Sequence, residues 1–498
     1  MSWLERTIET VSPKAAYLRK QYRAAGKMLE SQGKRSYDGA AYGRRGAKKM
    51  VFGSANTENE TAVARLRGNA RDMAQNNAWA VRTLDVIVSN VIGTGIRCQP
   101  QAKGKGKLAA ISKLWTDWAE TTACDFDALN DFYGLQQLVL ETVVRDGSAI
   151  IRYRRIAPAL VPLQIQVLEA DFLDITKQSG EGKNRVIHGI EVDDEGRRVA
   201  FWLYEQHPGD QGWLGRLTRK SNRIPADQVQ IIFRQHRAGQ LYGVSWLSPV
   251  MPHLRDLDQY EDAQLVKQKI SAFFAGFIHD ATGGDDSPAS AAESELPEKI
   301  EPGAIELLPP GKDITFPNPP TVDGFSEHER TVLRKIAAGV GITYEALSGD
   351  YSQVNFSSGR MGWIEFGRNI EKWRWRMFIP QFCASSWEKF KEAASVAGND
   401  FSGVTAQWTP PRRELIDPVK EIQGIVLEIR SGLTSWSEAV RERGYDPAAM
   451  LIQIAADAKA WDAAGLIFDC DPRKTTQQGQ PRDKAPTTAP ATDKGQGG

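Results

Sequence analysis

The most constraining feature of the sequence is a change of pattern between residues 148 and 236. This block holds short runs rich in β-branched and aromatic residues, each bounded by proline, glycine or charged turns: SAIIRYRRI, LQIQVLE, RVIHGIEV, RRVAFWLYE and QVQIIFRQH. Runs of this composition are typical of β-strands. The alternation from Val186 to Val192, the turn from Asp193 to Gly196 and the run from Val199 to Tyr204 together predict a hairpin.

Helical patterns flank this β-rich block on both sides. Apolar residues recur every three or four positions, the period of a helix face, over about residues 59–89, 108–145, 250–275, 326–338, 361–394 and 410–468. Gly93 and Gly95 are predicted to end the first segment, and Pro418 and Pro447 to open later helices. The fold class is therefore α+β, and 498 residues exceed what one hydrophobic core usually serves.

Both ends of the chain are poor in core-forming residues. Residues 1–50 carry twelve Lys or Arg against four acids, which makes a basic arm. This arm is either a solvated tail or a docking segment for DNA, scaffold or capsid protein. The segment beyond Asp471 is rich in Pro, Gln and Thr, which predicts disorder.

Charge and cysteine content limit the classes of protein that remain. With 63 basic and 62 acidic residues, the net charge of +1 gives no whole-molecule attraction to phosphate, so any contact with nucleic acid must be local or steric. The four cysteines form no CxxC pair, and the start MSWLERTIET lacks the apolar core of a secretory signal. We expect a cytoplasmic protein without a membrane span, since the apolar stretch 273–278 is too short for one.

Motifs of catalysis are missing from the sequence. No Gly-Lys pair is followed by Ser or Thr, so there is no phosphate loop, and GKGKLAA at Gly104 matches a dinucleotide motif only loosely. The stretch GVSWL at Gly243 lacks the second glycine of a nucleophile elbow, and the six scattered histidines form no HExxH. We predict no catalytic residues, no metal and no cofactor, although spacing does not test a metal site built from distant residues.

Four stretches, in their order and spacing, carry a family resemblance: ARDMAQNNAWAVRTLDVIVSNVIGTGIRCQP, LVLETVVRDGSAIIRYRR, LYGVSWLSPVMPHLRDLDQYEDAQLVKQK and KIAAGVGITYEALSGDYSQVNFSSGRMGWIEFGR. Over about residues 60–470 the chain resembles phage portal proteins of the lambda type. The resemblance implies a homo-oligomeric ring, usually of twelve subunits, through which double-stranded DNA is packaged and ejected. It also implies a place at the capsid vertex of the virion, after assembly in the host cytoplasm.

The same resemblance implies partners and a regional organisation. The partners are the terminase large subunit, the major capsid and scaffold proteins, and head–tail adaptor proteins. The regions follow chain order: a basic arm (1–59), a wing (60–248), a first stem helix (249–275), a clip (276–322), a second stem helix (323–339), a channel loop (340–360), a long wing-to-crown helix (361–396), C-terminal wing and crown helices (397–470) and a disordered tail (471–498).

Two groups of residues are candidates for lining the channel. Asp258, Glu261 and Asp262 share one face of the first stem helix, where they either repel passing phosphates or form a solvated outer face. The polar loop offers weak, sequence-independent hydrogen bonds to a DNA backbone, or is an ordinary surface connection. Its candidate residues are Gln353, Asn355, Ser357 and Ser358.

The long helix carries a basic row beside an apolar stripe. Arg368, Lys372 and Arg376 are spaced four apart, and Trp373 lies on a stripe that packs into a core or a neighbouring subunit. We expect a subunit interface here, with DNA contact as the alternative. Two rival interpretations of the whole chain are a packaging enzyme, such as a terminase or nuclease, and another head–tail connector or minor capsid protein.

Overall fold

The computed structural model describes residues 53–60, 62–156, 159–180, 184–210, 220–273, 277–280, 312–315, 324–412, 414, 416–468, 471 and 473–475. The chain divides into a small unit, Met1–Ala62 with Arg237–Gln240, and a large unit, Val63–His236 with Leu241–Gly498. Most of the predicted basic arm, most of the predicted clip and nearly all of the predicted disordered tail lie outside the described residues.

Within the described residues of the small unit there is one short helix, α1 (Ala55–Glu60). Polar contacts join this helix to the segment Arg237–Gln240. The guanidinium of Arg237 pairs with Glu58 at 2.8 Å, and the side-chain amide of Asn56 donates to the carbonyl of Gly239 at 2.9 Å.

The large unit begins with two helices, α2 (Val63–Asn76) and α3 (Ala78–Val91), where the sequence predicts one. The break is at Asn77, whose backbone is extended and whose side chain accepts a hydrogen bond from the backbone N–H of Ala80. Asn77 therefore caps α3. Gly93 and Gly95 follow with positive φ and end the helical segment as predicted, before strand β1 (Arg97–Gln101).

The second predicted helical segment also contains two helices, α4 (Lys105–Ala119) and α5 (Phe132–Asp146). They meet in an aromatic core that the C-terminal half of the chain completes. The rings of Trp115 and Phe390 lie 4.9 Å apart in an edge-on arrangement, and Phe132 stacks on Phe382 at 5.5 Å. Such pairs add to the stabilisation that burial of their area already provides.

The predicted β-rich block is confirmed, and its first part is a three-stranded antiparallel sheet in the order β3–β2–β8. The strands are β2 (Ser148–Arg154), β3 (Gln164–Glu169) and β8 (Val229–Phe233). Neighbouring residues of β2 face different hydrophobic clusters. Ile151 belongs to the large cluster that holds the aromatic core, and Ile150 to a smaller one with Phe201 and Ile231.

The second sheet has four antiparallel strands in chain order: β4 (Arg185–Ile187), β5 (Ile190–Val192), β6 (Arg198–Tyr204) and β7 (Ser221–Pro225). The predicted hairpin is confirmed as β5 and β6, with Ile190 opposite Phe201. The run RVIHGIEV is two strands, however, because His188 and Gly189 both have positive φ and form a two-residue turn.

The predicted first stem helix is α6 (Met251–Phe273), and the predicted second is α7 (Phe325–Val340). Between them, the two short strands β9 (Phe277–Asp280) and β10 (Lys312–Thr315) pair antiparallel. Helices α6 and α7 contact each other through the stacked rings of Tyr260 and Phe325, whose centroids are 5.7 Å apart.

The predicted channel loop is partly helical. It contains α8 (Tyr344–Ser348), and the long helix begins as α9 (Phe356–Trp373), five residues before the predicted start at 361. The helix then continues through a π-helical segment, Arg374–Cys383, into α10 (Ala384–Val396). Pro380 lies within the π-helical segment, where the wider turn accommodates a residue that cannot donate a backbone hydrogen bond.

Strand β11 (Thr405–Thr409) pairs with β1, which joins two segments of the large unit that are distant in the sequence. Three helices follow: α11 (Pro418–Ser431), α12 (Trp436–Glu442) and α13 (Pro447–Ala464). Both prolines occupy the first helical turn as predicted, behind Asp417 and Asp446 as caps. None of the helices in the described ranges is both long enough and apolar enough to cross a bilayer.

Candidate functional surfaces

The first channel candidate, the acidic face of α6, lies near helix α3. Both carboxylate oxygens of Asp258 accept hydrogen bonds from the side-chain amide of Asn77, at 2.8 and 2.7 Å. Because Asn77 also caps α3, Asp258 is held in place by the residue that starts the neighbouring helix. Asp262, like Asp258, is exposed.

Glu261 is the most perturbed of the three acids. Partial burial raises its pKa, and the nearby carboxylates of Glu329 on α7 and of Asp258 raise it further. A hydrogen bond from the side chain of Trp79 opposes this rise without cancelling it. The four acids Asp258, Glu261, Asp262 and Glu329 therefore form one acidic cluster shared by α6 and α7, in which the neighbouring charges destabilise the ionised form of Glu261.

In the second channel candidate, the polar loop, two of the four residues form a helix cap. The side chain of Asn355 accepts from the backbone N–H of Ser358 at 2.8 Å, and the hydroxyl of Ser358 accepts from the backbone N–H of Asn355 at 3.1 Å. This reciprocal pair is a capping box for α9. All four residues are exposed, Gln353 and Asn355 in the loop and Ser357 and Ser358 on the first turn of α9.

The predicted interface residues of the long helix divide between surface and core. Arg368, Lys372 and Arg376 are exposed, and none of them forms an ion pair within the described part of the chain. Trp373 is 3% exposed and packs against Trp246 at 5.1 Å, in the core of its own chain. Its assignment to a subunit interface is therefore wrong, because a side chain buried in its own core has no area left for a neighbour.

A residue next to this row has a structural role that the sequence did not reveal. Arg374 is buried, and its guanidinium donates to the carbonyls of Val91 and Asn90 at 2.7 and 2.8 Å. These carbonyls end α3, where a cation is favoured by the helix dipole. Its partners lie more than 280 positions away in the sequence, so no local pattern could have identified them.

The C-terminal helices α11 to α13 leave many apolar side chains uncovered. No residue of α11 is buried, and α13 buries only Pro447 and Ala458. We call this set the C-terminal apolar surface; it comprises Val419, Ile422, Leu427, Leu433, Leu451, Ile452 and Ile454. Large uncovered apolar areas of this kind are rare on proteins that stay monomeric. The sequence signal was the run AAMLIQIAADAKAWDAA, which is apolar on every side of the helix.

The C-terminal apolar surface borders a groove between α9 and α11. Its cavity measures about 460 Å³. Trp363, Ile364 and Ile425 line its apolar part, while Arg360 and Glu421 are among its charged residues. An apolar floor with a charged edge is the composition found where protein surfaces associate.

A third cluster, far from these helices, brings a possible metal-binding set together. Ligand atoms of Glu169, Asp171 and His207 all lie within 4.8 Å of one another. The acids are already neutralised, since Arg71 pairs with Glu169 at 2.9 Å and with Asp171 at 2.6 Å. Burial raises the pKa of Asp171, but Arg67 and Arg71 outweigh it and hold that pKa below its usual value.

The histidine ring of this cluster lies beside the acids without forming a hydrogen bond to them. The backbone N–H of Gly209 donates to His207 Nδ1 at 3.1 Å, which places the proton of the neutral ring on Nε2. Nε2 lies 3.2 Å from Glu169. The buried carboxylate of Asp146 completes the network through Arg71 at 2.7 Å. The contacts between these arginines and carboxylates form an ion-pair network that ties α2 and α5 to β3.

The most prominent features are thus surfaces suited to other macromolecules, which defines a structural subunit of an assembly. Comparison with known proteins identifies its family. The profile of the phage portal protein, lambda family, matches residues 43–374, which is more than half of the chain. The chain therefore belongs to the lambda family of phage portal proteins, and it is a structural protein and not a packaging enzyme.

Individual relatives agree with this assignment. The probable portal protein of Halomonas phage phiHAP-1 is 28% identical over 425 residues, covering 80% of this chain and 81% of the relative. Portal protein B of Escherichia phage lambda is 23% identical over 472 residues, covering 80% and 85%. Among solved structures, a chain from the virion of a native gene transfer agent particle aligns with a TM-score of 0.47 and 16% identity, over 81% of this chain and 97% of that one.

Proposed function

We propose that this portal protein assembles into a homo-oligomeric ring, with twelve subunits as the expected number, at the capsid vertex of a tailed phage. Double-stranded DNA passes through the ring during packaging and ejection. The ring also serves as the docking platform for the terminase large subunit and for head–tail adaptor proteins, and it contacts major capsid and scaffold proteins. It forms in the host cytoplasm and becomes part of the virion.

The observation that carries the ring is the C-terminal apolar surface. Burying apolar area contributes about 25 cal/mol per Å², so the apolar side chains left open on α11 and α13 favour association. A ring buries such a surface by placing it against a different face of the next copy, which closes without leaving any copy uncovered. The exposed row Arg368, Lys372 and Arg376 provides cations at which carboxylates of a neighbour can pair.

The proposed stem and channel regions favour weak binding of the DNA that passes through the ring. In the proposed ring, α6 and α7 form the stem, and the acidic cluster faces the channel. Carboxylates there repel phosphates and keep affinity low, whereas each cation contact would add affinity and friction. Gln353, Asn355, Ser357 and Ser358 are the candidates for weak contacts from the polar loop.

Negative-stain microscopy of the purified protein tests the assembly, with rings that have a central hole as the expected result. Ile452→Glu places a charge on the C-terminal apolar surface at a residue that is 73% exposed, so it should leave the subunit fold intact while reducing ring formation. Leu129→Glu is the matched control, because Leu129 is 79% exposed outside these helices. A wild-type protein that stays monomeric, or an Ile452→Glu variant that assembles as well as the control, would contradict the proposal.

A further inference from the structure

A second cavity, of about 380 Å³, lies at the end of strand β2 and is separate from every surface described above. Four cations line it: Arg152, Arg154 and Arg155 from the end of β2 and the residues after it, and Lys389 from α10. Two acids, Asp227 and Glu392, also line it. The cavity therefore carries an excess of positive charge in a chain whose overall charge is nearly balanced.

The cations of this cavity differ in how well they are paired. Lys389 contacts Glu392 at 3.0 Å, and Arg155 reaches the same carboxylate only at 3.8 Å. Arg154 lies over the ring of Phe126 at 4.6 Å and donates to the side chain of Gln166 at 2.7 Å. One carboxylate is thus shared by two cations, and Arg154 is satisfied without any carboxylate.

Arg152 is the unpaired member. It is half-buried, and it forms no ion pair with a carboxylate in the described ranges. Burial lowers its pKa, and the neighbouring Arg154 lowers it further, so the site already disfavours the positive charge that it holds. An anion entering the cavity would relieve this repulsion and supply the missing partner.

We propose that this cavity binds phosphate groups of the DNA backbone through Arg152, Arg155 and Lys389. The proposal rests on the proposed function for the presence of DNA. Planar guanidinium groups match the oxygens of a phosphate in pairs. Duplex DNA carries one negative charge per about 1.7 Å of its axis, so neighbouring phosphates can meet Arg152 inside the cavity and Arg155 at its edge together. A single carboxylate could satisfy only one of them.

This site differs in purpose from the proposed channel. Its residues lie on β2, α10 and the segment after β2, whereas the acidic cluster lies on α6 and α7. Contact with DNA here would hold a stationary stretch of genome against the wing and would not slow a moving one. The binding is sequence-independent, because only backbone phosphates are contacted.

The test measures binding of a short fluorescent duplex to the assembled full-length protein at several salt concentrations. Arg152→Ala should weaken binding about tenfold at low salt and reduce the slope of log affinity against log salt by about one. Arg155→Ala should act in the same direction, and with a side chain that is 68% exposed it should not affect folding. Arg197→Ala is the control, since its side chain is 78% exposed on the turn between β5 and β6 and the charge change is equal. All variants keep the basic arm, so its contribution cancels.

Each outcome decides one point. Rings with equal DNA affinity in wild type, both cavity variants and the control overturn the phosphate site but leave the proposed function standing. Absence of rings in the wild type contradicts the proposed function itself. Binding of inorganic phosphate that Arg152→Ala abolishes, together with a DNA affinity that Arg152→Ala leaves unchanged, assigns the cavity to free phosphate and overturns DNA as its ligand. Loss of rings in Arg155→Ala with unchanged DNA affinity overturns it in favour of an acidic segment of a neighbouring subunit.

Discussion

Replacing Gly243 by alanine should destabilise the large unit severely, because two backbone segments cross at this position without room for a side chain. A Cβ atom at Gly243 would lie 2.1 Å from the carbonyl oxygen of Gly147 and 2.8 Å from Cβ of Phe233. Gly147 is itself in the left-handed region, with φ of 91°, and a Cβ there would lie 2.4 Å from the carbonyl carbon of Val244. Neither of these two backbone segments can shift to make room for a Cβ atom without displacing the other.

The size of the effect follows from these contacts. Overpacking of a core usually costs about 1–3 kcal/mol, and the upper end applies here because the obstructing atom belongs to the backbone. Displacement of Gly243 would also weaken the hydrogen bond that its N–H donates to the hydroxyl of Ser148 at 2.8 Å, which contributes about 1 kcal/mol. For a cooperative unit of about 400 residues, a loss of about 3–4 kcal/mol corresponds to a fall in Tm of about 4 °C.

Thermal unfolding followed by circular dichroism measures this, at one protein concentration because assembly makes Tm depend on concentration. Gly68→Ala is the matched control. Gly68 is exposed within α2, a Cβ there meets nothing within 4 Å, and alanine should stabilise the helix by about 0.5–1 kcal/mol. Opposite signs for the two variants are expected; a Gly243→Ala protein as stable as the wild type would refute the close crossing.

Three further predictions concern charge and the polar loop. Glu261→Gln should raise the free energy of unfolding at pH 7 by about 0.2–0.5 kcal/mol for each repulsion with a neighbouring carboxylate that it removes. The gain in Tm should vanish as pH falls through the raised pKa of the wild-type carboxyl. Asp174→Asn should lower the free energy of unfolding by about 1–3 kcal/mol at pH 7. Burial raises the pKa of Asp174, but hydrogen bonds from Ser221 and other hydroxyls hold that pKa below its usual value. The stabilisation by the ionised carboxylate is therefore lost as pH falls through the lowered pKa. Deleting Ser352 and Gln353 should reduce DNA packaging or retention in a packaging assay while rings still form by microscopy, and unchanged packaging would remove the loop from the channel.

The sequence predicted the class and order of elements well, because hydrophobic period is a local property. The β-rich block, the β5–β6 hairpin and the prolines that open α11 and α13 are all confirmed. The errors fall at single residues that interrupt a continuing pattern. Asn77 divides two helices with the same apolar period on both sides, and His188 with Gly189 reverses a strand whose alternation continues across the turn.

The candidate surfaces were less predictable, since their character depends on distant partners. Asn355 and Ser358 were correctly seen as polar, but only the folded chain shows that they cap α9. Trp373 was on the correct apolar stripe, yet whether a stripe faces the chain's own core or a neighbour depends on Trp246, more than a hundred residues away. The channel, interface and regional assignments stay predictions.

Strand β2 has a consequence for how the chain finds its correct pairing. A strand with one buried face exposes its apolar side chains if its pairing shifts by one residue. Strand β2 has apolar residues on both faces, so such a shift would only exchange Ile150 and Ile151 between two cores. The exchange of these two residues alone would cost little free energy. The far end of the strand supplies the penalty instead. A slip would bring Arg152 to the position of Tyr153, whose hydroxyl lies 3.0 Å from that of Ser385 in the aromatic core. The polar residues at the end of β2 thus determine the pairing register of the three-stranded sheet.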